Sequence, residues 1–167
     1  ENGKPVITGN KELLAAHGPE LYAVAAEHGV DLLFEAAVAG GIPLIRPLRE
    51  SLVGEDISRV MGIINGTTNY ILTKMTQEGA DYARALADAQ ALGYAEADPT
   101  ADVEGYDAGA KAAIIASIVF GVDVRSSDVQ HEGISSITAA DIDTAKRLGY
   151  VIKALAVIER ADGEVAV

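Results

Sequence analysis

The stretch PVITGNKELLAAHGPELYAVAAEHGVDLLFEAAV, residues 5–38, decides the fold class of this chain. It contains a short β-type run, two helical stretches and a nearly continuous apolar run, in that order: residues 5–8, 11–16, 20–28 and 30–38. The apolar run is typical of a strand buried on both faces, as in a parallel sheet. Asn10 suits the N-cap of the first helical stretch. Strand, helix, helix, strand is the order of an α/β unit.

Further elements follow along the chain. We predict helices at residues 44–53, 70–78, 82–92, 107–120 and 139–148, and strands at residues 57–64, 150–159 and 165–167. Pro43 suits the start of the first of these helices, and Thr138 suits the N-cap of the last. A polar turn is expected at 65–69, and a loop rich in Asp, Glu, Gly and Pro at 94–105.

Composition narrows the class of protein. The 167 residues include no cysteine, which excludes disulfides and thiolate chemistry, and they carry a net charge of −12, which disfavours nucleic-acid and anionic-membrane partners. No apolar run is long enough for a membrane span, and no secretory signal opens the chain, so we expect a cytoplasmic protein. The chain starts without Met, directly before a strand-like run, and we interpret it as a piece of a longer protein.

The most informative stretch is YAEADPTADVEGYDAGAK, residues 94–111. It concentrates five carboxylates within twelve residues and ends in a lysine: Glu96, Asp98, Asp102, Glu104, Asp107 and Lys111. Asp107 and Lys111 are four residues apart on the predicted helix and share a face. This spacing allows a surface salt bridge, or a carboxylate-lined pocket for an amine beside a proton-moving lysine. A calcium loop is a third reading, but the spacing fits no EF-hand.

Two other stretches carry polar or glycine-rich turns. In EAAVAGGIP, residues 35–43, paired glycines follow the buried run, so exposed backbone carbonyls can bind a hard cation, or the segment is a plain strand-to-helix turn. In GIINGTTNY, residues 62–70, small hydroxyls and amides suit substrate contacts, or Thr67 or Thr68 caps a helix. The three histidines show no ligand spacing, and we interpret them as surface or structural residues.

Taken together, these stretches resemble homoserine dehydrogenases over nearly the whole chain. The pattern of the family has Ala and Gly before the acidic loop, followed by spaced Asp-Pro, Asp, Gly, Asp and Lys. This chain matches it at Ala89, Gly93, Asp98, Pro99, Asp102, Gly105, Asp107 and Lys111. EAAVAGGIPLIRPLRESL, GIINGTTNYIL and VITGNKELLA are further similar blocks, with Gly9 where many members carry Ala.

The resemblance implies reduction of L-aspartate 4-semialdehyde to L-homoserine with NADPH or NADH, on the route to threonine, methionine and isoleucine. By resemblance, Lys111 transfers the proton at the substrate oxygen, and Lys11 is a second catalytic lysine that lines the cofactor and substrate site next to Asn10. Glu96 would hold the substrate's α-amino group. The resemblance also implies that two acids, Asp102 and Asp107, orient substrate, water and Lys111. It further implies a sodium ion bound by the backbone carbonyls of four residues: Glu35, Val38, Gly40 and Ile42.

The implied fold is an α+β catalytic domain with a mixed sheet and covering helices, preceded by the tail of a Rossmann-like α/β nucleotide-binding domain. We assign residues 1–41 to the C-terminal part of the NAD(P)-binding domain, and 42–167 to the catalytic and dimerisation domain, incomplete at its C-terminus. No Gly-x-Gly-x-x-Gly turn occurs, so we expect the chain alone to be inactive. The resemblance also implies that the native protein is a homodimer or larger. The alternative is a non-catalytic module that binds an amino acid or a cation through residues 94–111.

Overall fold

The computed structural model describes residues 2–167. Its elements in chain order are β1 (Val6–Ile7), α1 (Lys11–Glu27), β2 (Leu32–Leu33), β3 (Arg59–Gly62), α2 (Gly66–Glu78), α3 (Tyr82–Ala91), α4 (Thr100–Val103), α5 (Tyr106–Phe120), α6 (Ala139–Arg147), β4 (Ala156–Ala161) and β5 (Glu164–Ala166). They form two compact units: Glu1–Ile64 with Gly109–Gln130 and Ala156–Val167, and Asn65–Ala108 with His131–Leu155. The class, mixed α and β with small sheets, agrees with the prediction.

In the first unit, β1 and β2 form a parallel pair, with Val6 opposite Leu32 and Ile7 opposite Leu33. The two predicted helical stretches form one helix, α1, which bends at His17, where the backbone leaves helical geometry two residues before Pro19. Asn10 caps α1 as predicted, because its side chain accepts a hydrogen bond from the Leu13 N–H.

The long buried strand predicted at residues 30–38 is wrong. Only Leu32–Leu33 pairs, and a short 3-10 turn, Glu35–Ala37, replaces the rest. Leu33 is exposed, whereas Val38 is fully buried without strand pairing. Burial of this segment therefore comes from packing in the core cluster rather than from sheet pairing, and apolar content alone does not distinguish the two.

The helix predicted at residues 44–53 is present but distorted. Its middle is a π-helical turn, Pro47–Ser51, in which the Leu52 N–H donates to the Pro47 carbonyl at 2.9 Å. Pro47 lies in the first turn, where its missing N–H costs little, and nothing in the structure explains the π-helical hydrogen bond.

The second sheet of the first unit has the order β3–β4–β5 and is antiparallel throughout. The mixed sheet predicted for residues 42–167 is therefore not found in the part of the chain that the structure describes. The strand predicted at 150–159 starts only at Ala156, because its partner β3 ends at the paired residue Gly62. Asp162 and Gly163, both at positive φ, form the turn between β4 and β5. Two consecutive residues at positive φ give the turn a backbone twist that suits a tight hairpin.

The second unit packs α2, α3 and α6 around an aliphatic cluster: Ile71, Leu72, Met75, Ala85, Ala89 and Ile142 are among its buried members. Helix α2 begins at Gly66, four residues earlier than predicted, so the expected polar turn is its first turn. Thr138 caps α6 as predicted. The expected loop at 94–105 contains the short helix α4.

Segment 131–135 holds the end of α4 in place. The Ile134 N–H donates to the Val103 carbonyl at 2.7 Å, and the Ser135 hydroxyl donates to the Glu104 carboxylate at 2.6 Å. The acidic loop is therefore tied to a second backbone segment. Within residues 2–167, no helix is both long enough and apolar enough to cross a membrane. The predicted domain boundary at 41/42 stays a prediction.

We predict that Gly133→Ala destabilises the second unit. A Cβ at this position would lie 2.8 Å from the Val103 carbonyl oxygen and 2.9 Å from the Glu104 Cα, both backbone atoms that cannot rotate away. The free energy of unfolding should fall by about 1–3 kcal/mol, measured by urea unfolding with circular dichroism. Gly54→Ala is the control, since nothing lies within 4 Å of its added Cβ. Equal stability of the two variants would contradict the predicted clash.

We predict that Tyr22→Phe leaves the protein as stable or more stable. The Tyr22 ring packs on Phe34 with centroids 5.7 Å apart, but its hydroxyl is buried and has no hydrogen-bond partner among residues 2–167. Removing an unpaired buried hydroxyl should raise the free energy of unfolding by up to about 1 kcal/mol.

Burial also raises the pKa of the Tyr22 phenol, so the wild type should lose stability as pH rises above about 10. The variant should lose less, as read from melting temperature against pH. The exposed Tyr150→Phe is the control, and a lower melting temperature for Tyr22→Phe would oppose the prediction.

Candidate active site

The second unit contains a buried polar cluster built on Asn65, the N-cap of α2. Asn65 is only 7% exposed. Its Nδ2 donates to Asp102 Oδ1 at 2.7 Å and to Asp107 Oδ2 at 2.9 Å. Its Oδ1 accepts from the Thr68 N–H at 2.8 Å and from the Thr68 hydroxyl at 3.0 Å. One side chain thus starts a helix and holds two carboxylates that are predicted site residues.

The five acids of the predicted cluster have different surroundings. Asp102 and Asp107 converge on the same amide, and Asp107 is 9% exposed. An ordinary surface salt bridge is therefore the wrong interpretation of Asp107. Glu104 accepts from Ser135, and Asp98 accepts from the Thr100 N–H and hydroxyl. Acid density along the sequence overstates the cluster, because two of the five bind local groups instead.

The hydrogen bonds from Thr100 lower the pKa of Asp98, which stays ionised at neutral pH. Asp98 lies just before α4, where an ionised side chain that accepts from the first backbone N–H groups favours the helix. Its place in the family pattern therefore has a structural explanation: it fixes the turn from which α4 and Asp102 follow.

Glu96, in the acidic loop, is exposed. Its backbone is fixed, because the Gln90 side-chain amide donates to the Glu96 carbonyl at 3.0 Å. The backbone carbonyl of Tyr94, at the start of the same loop, accepts a hydrogen bond from the Thr67 hydroxyl at 2.7 Å. The loop therefore presents the Glu96 carboxylate from an ordered backbone, where a positively charged group from outside can reach it.

Lys111 belongs to the first unit. It lies on α5 one helical turn after Asp107, and its Nζ donates to the Ile64 carbonyl at 2.9 Å. The side chain is partly buried, and the carbonyl fixes the direction of its ammonium. An ammonium has three N–H donors, and this bond uses one of them to fix the direction of the group.

Asn10 and Lys11 follow β1 at its carboxyl end and open α1. The carboxyl ends of parallel strands are where α/β sheets bind nucleotides. The Asn10 carbonyl oxygen is used as a helix cap, and the Lys11 Nζ lies 2.9 Å from Glu12 Oε1. These contacts fix both side chains beside the first turn of the helix.

The proposed sodium ligands surround a turn in the first unit. Both carboxylate oxygens of Glu35 accept from backbone N–H groups, those of Leu44, Ile45 and Arg46, at 2.6 to 2.9 Å. The Glu35 side chain is thus already used as a helix cap, and a cation here would depend on backbone carbonyls. Ala39 and the candidate Gly40 both adopt positive φ in this turn. Among residues 2–167, no three His, Asp or Glu side chains form a metal-ligand group.

Sequence reasoning missed Asn65. It treated residues 65–69 as a turn and considered Thr67 and Thr68 as caps, whereas the structure places both threonines inside α2 and makes Asn65 the cap. The available signal was Asn followed three residues later by Thr at the end of a strand-like run, since Asn is a preferred N-cap. The contacts of Asn65 with Asp102 and Asp107, which lie 37 and 42 residues further along the chain, have no local signal in the sequence.

Comparison with known proteins assigns the family. The model of the homoserine dehydrogenase family matches residues 43–167. Homoserine dehydrogenase of Mycobacterium bovis is 62% identical over 96% of this chain, and that of Corynebacterium glutamicum is 60% identical over 95%. The chain therefore belongs to the homoserine dehydrogenase family, as the resemblance indicated. It spans 36% of the length of each of these two relatives.

Solved structures agree. A homoserine dehydrogenase from Thiobacillus denitrificans superimposes with a TM-score of 0.95 at 49% identity, covering 98% of this chain and 38% of that one. A hyperthermophilic archaeal homoserine dehydrogenase in complex with NADPH superimposes with a TM-score of 0.79 at 32% identity, covering 97% and 46%. The fold of the chain is thus that of the matching part of these enzymes. Oligomeric state, sodium binding and cytoplasmic location stay predictions.

Proposed function

We propose that this chain supplies the substrate-binding and proton-transfer groups of an enzyme that reduces L-aspartate 4-semialdehyde to L-homoserine with NADPH or NADH. Membership of the homoserine dehydrogenase family sets the reaction class. The observation that carries the assignment to residues is the convergence of Asp102 and Asp107 on buried Asn65.

Lys111 serves as the proton donor at the reacting oxygen in this proposal. The nicotinamide, when bound, supplies the hydride. Hydride addition to an aldehyde leaves negative charge on oxygen, which a positioned ammonium stabilises and then protonates. The Ile64 carbonyl at 2.9 Å orients the Lys111 Nζ without removing its charge, which supports this role.

Asp107 lies in the first turn of α5, and Asp102 lies in α4. The Asn65 amide donates to one oxygen of each acid and is itself neutral. From the family membership, we assign to Asp102 and Asp107 the orientation of the substrate, of water and of Lys111.

Glu96 binds the α-ammonium of the substrate. The product and the substrate are amino acids, and their ammonium needs a carboxylate at a distance from the reacting carbon. Glu96 is exposed on a loop whose backbone is tied by Gln90, so it can accept a cation without a large rearrangement. This contact forms equally in the ground state and in the transition state.

We place Asn10 and Lys11 next to the bound cofactor. Their position at the carboxyl end of β1 fits a dinucleotide neighbourhood, although the chain contains no Gly-rich phosphate turn. Ile7 in β1 is 82% exposed, and a parallel sheet of two strands is rarely stable with such a face in water. This exposure supports our assignment of residues 1–41 to a nucleotide-binding domain. A sodium ion at the carbonyls of Glu35, Val38, Gly40 and Ile42 stays part of the proposal, since carbonyls are hard oxygen ligands.

We predict that Lys111→Ala, introduced into the longer protein, lowers kcat by about 100-fold to 10,000-fold, because the developing charge loses its proton donor. The measurement is steady-state oxidation of homoserine with NADP+ or NAD+, together with the reverse reduction. Lys146→Ala is the matched control, since Lys146 is exposed in the last turn of α6. Turnover of the Lys111 variant close to that of the control would remove Lys111 from the mechanism.

We predict that Glu96→Gln raises KM for aspartate semialdehyde by about 10-fold to 100-fold while kcat changes less. A charge-assisted hydrogen bond contributes about 1.5–3 kcal/mol, and it is lost equally from ground state and transition state. Glu164→Gln, an exposed Glu of β5, is the control and should leave both constants unchanged. A lower kcat at unchanged KM would assign Glu96 to the chemical step instead of to binding.

A further inference from the structure

The orientation of the Asn65 amide is fixed by its surroundings. The Thr68 backbone N–H can only donate, so the side-chain atom that faces it at 2.8 Å must be the carbonyl oxygen. The other end is then the NH2 group. Its two hydrogens point at Asp102 Oδ1, 2.7 Å away, and at Asp107 Oδ2, 2.9 Å away. Both hydrogen-bonding ends of Asn65 are therefore used.

This orientation fixes the direction of both carboxylates. An oxygen that receives a hydrogen bond from Asn65 cannot itself carry a proton directed at Asn65. The low exposure of Asn65 and Asp107 makes an unmatched contact expensive. A further carboxylate at position 65 would face both acids, and like charges raise each other's pKa.

We propose that Asn65 is a positioning residue that holds the carboxylates of Asp102 and Asp107 in the orientation that catalysis needs. The proposal rests on the proposed function, and Asn65 itself need not touch the substrate. Because the same residue caps α2, the orientation of the acids is coupled to the start of that helix.

The elements that carry the cluster also carry other titratable groups. They are Glu96 and Asp98 on the loop before α4, Glu104 after α4, and Lys111 further along α5. His131 lies against the ring of Tyr106, and the Lys153 Nζ binds Asn69 and Thr73 on α2. The substitutions below leave all of these groups unchanged, so a difference in pH dependence reports on Asn65.

The test uses Asn65→Asp and Asn65→Ser in the longer protein. Both replacements keep an oxygen that can cap α2, but Asp puts a third carboxylate against the two acids and Ser is too short to reach them. We expect kcat/KM at neutral pH to fall about 10-fold for Asn65→Ser and about 100-fold for Asn65→Asp. The acid limb of the pH profile should move to higher pH, most for Asn65→Asp, because raised pKa values delay ionisation of the acids.

Thr138→Ala is the control for a purely structural role, since it removes a helix cap from α6 but contacts neither acid. Its melting temperature should fall while its pH profile stays that of the wild type. If both Asn65 variants show the wild-type pH profile and differ only in melting temperature, the inference is overturned. If Asn65→Asp does not fold, Asn65→Ser alone decides between the two outcomes.

An infrared measurement separates this inference from the proposed function. At neutral pH, Asn65→Asp should show the C=O band of a protonated carboxyl group that the wild type lacks. This readout does not need turnover. An inactive wild type would defeat the proposed function, while the presence or absence of that band in the variant would still support or reject the role of Asn65.

Discussion

The second unit depends on a single buried amide that has to satisfy acceptors and donors at once. Asn65 gives its oxygen to the backbone of Thr68 and its nitrogen to two carboxylates. Each of these groups would be costly to bury alone, since an unpaired polar group loses its hydration without compensation. Together they satisfy one another. The arrangement fixes where α2 begins and where Asp102 and Asp107 lie. The hydrogen bonds of one side chain therefore determine both the start of the helix and the geometry of the site.

The surrounding backbone is built to keep that geometry. Helix α4 places Asp102, and segment 131–135 binds the end of α4 through the Ile134 N–H and the Ser135 hydroxyl. Gly133 permits a backbone approach that any Cβ would block. A stretch that looks like a mobile polar loop by composition is thus held by main-chain hydrogen bonds, as expected of loops that carry binding groups on a rigid scaffold.

Sequence reasoning succeeded where the signal was local. Asn10 and Thr138 are caps with a suitable helix directly after them, and both predictions are confirmed. It failed at residues 30–38, because an apolar run fits a strand or an irregular core segment equally well and only the partner strand decides. In the site, spacing identified Asp102 and Asp107 as candidates, but their common partner is 37 and 42 residues away, and no local pattern predicts that contact.

The different surroundings of the acids also bear on the kind of ligand this site suits. A cation held by the whole acidic stretch would need several carboxylates directed at one point, whereas Asp98 and Glu104 turn to Thr100 and Ser135. What remains is a pair of oriented carboxylates and, separately, one exposed carboxylate at Glu96. In the proposed function, the exposed carboxylate suits the amine of the substrate. The neutral amide of Asn65 orients the other two carboxylates and adds no charge of its own, so this pair suits a positively charged or hydrogen-bond-donating group.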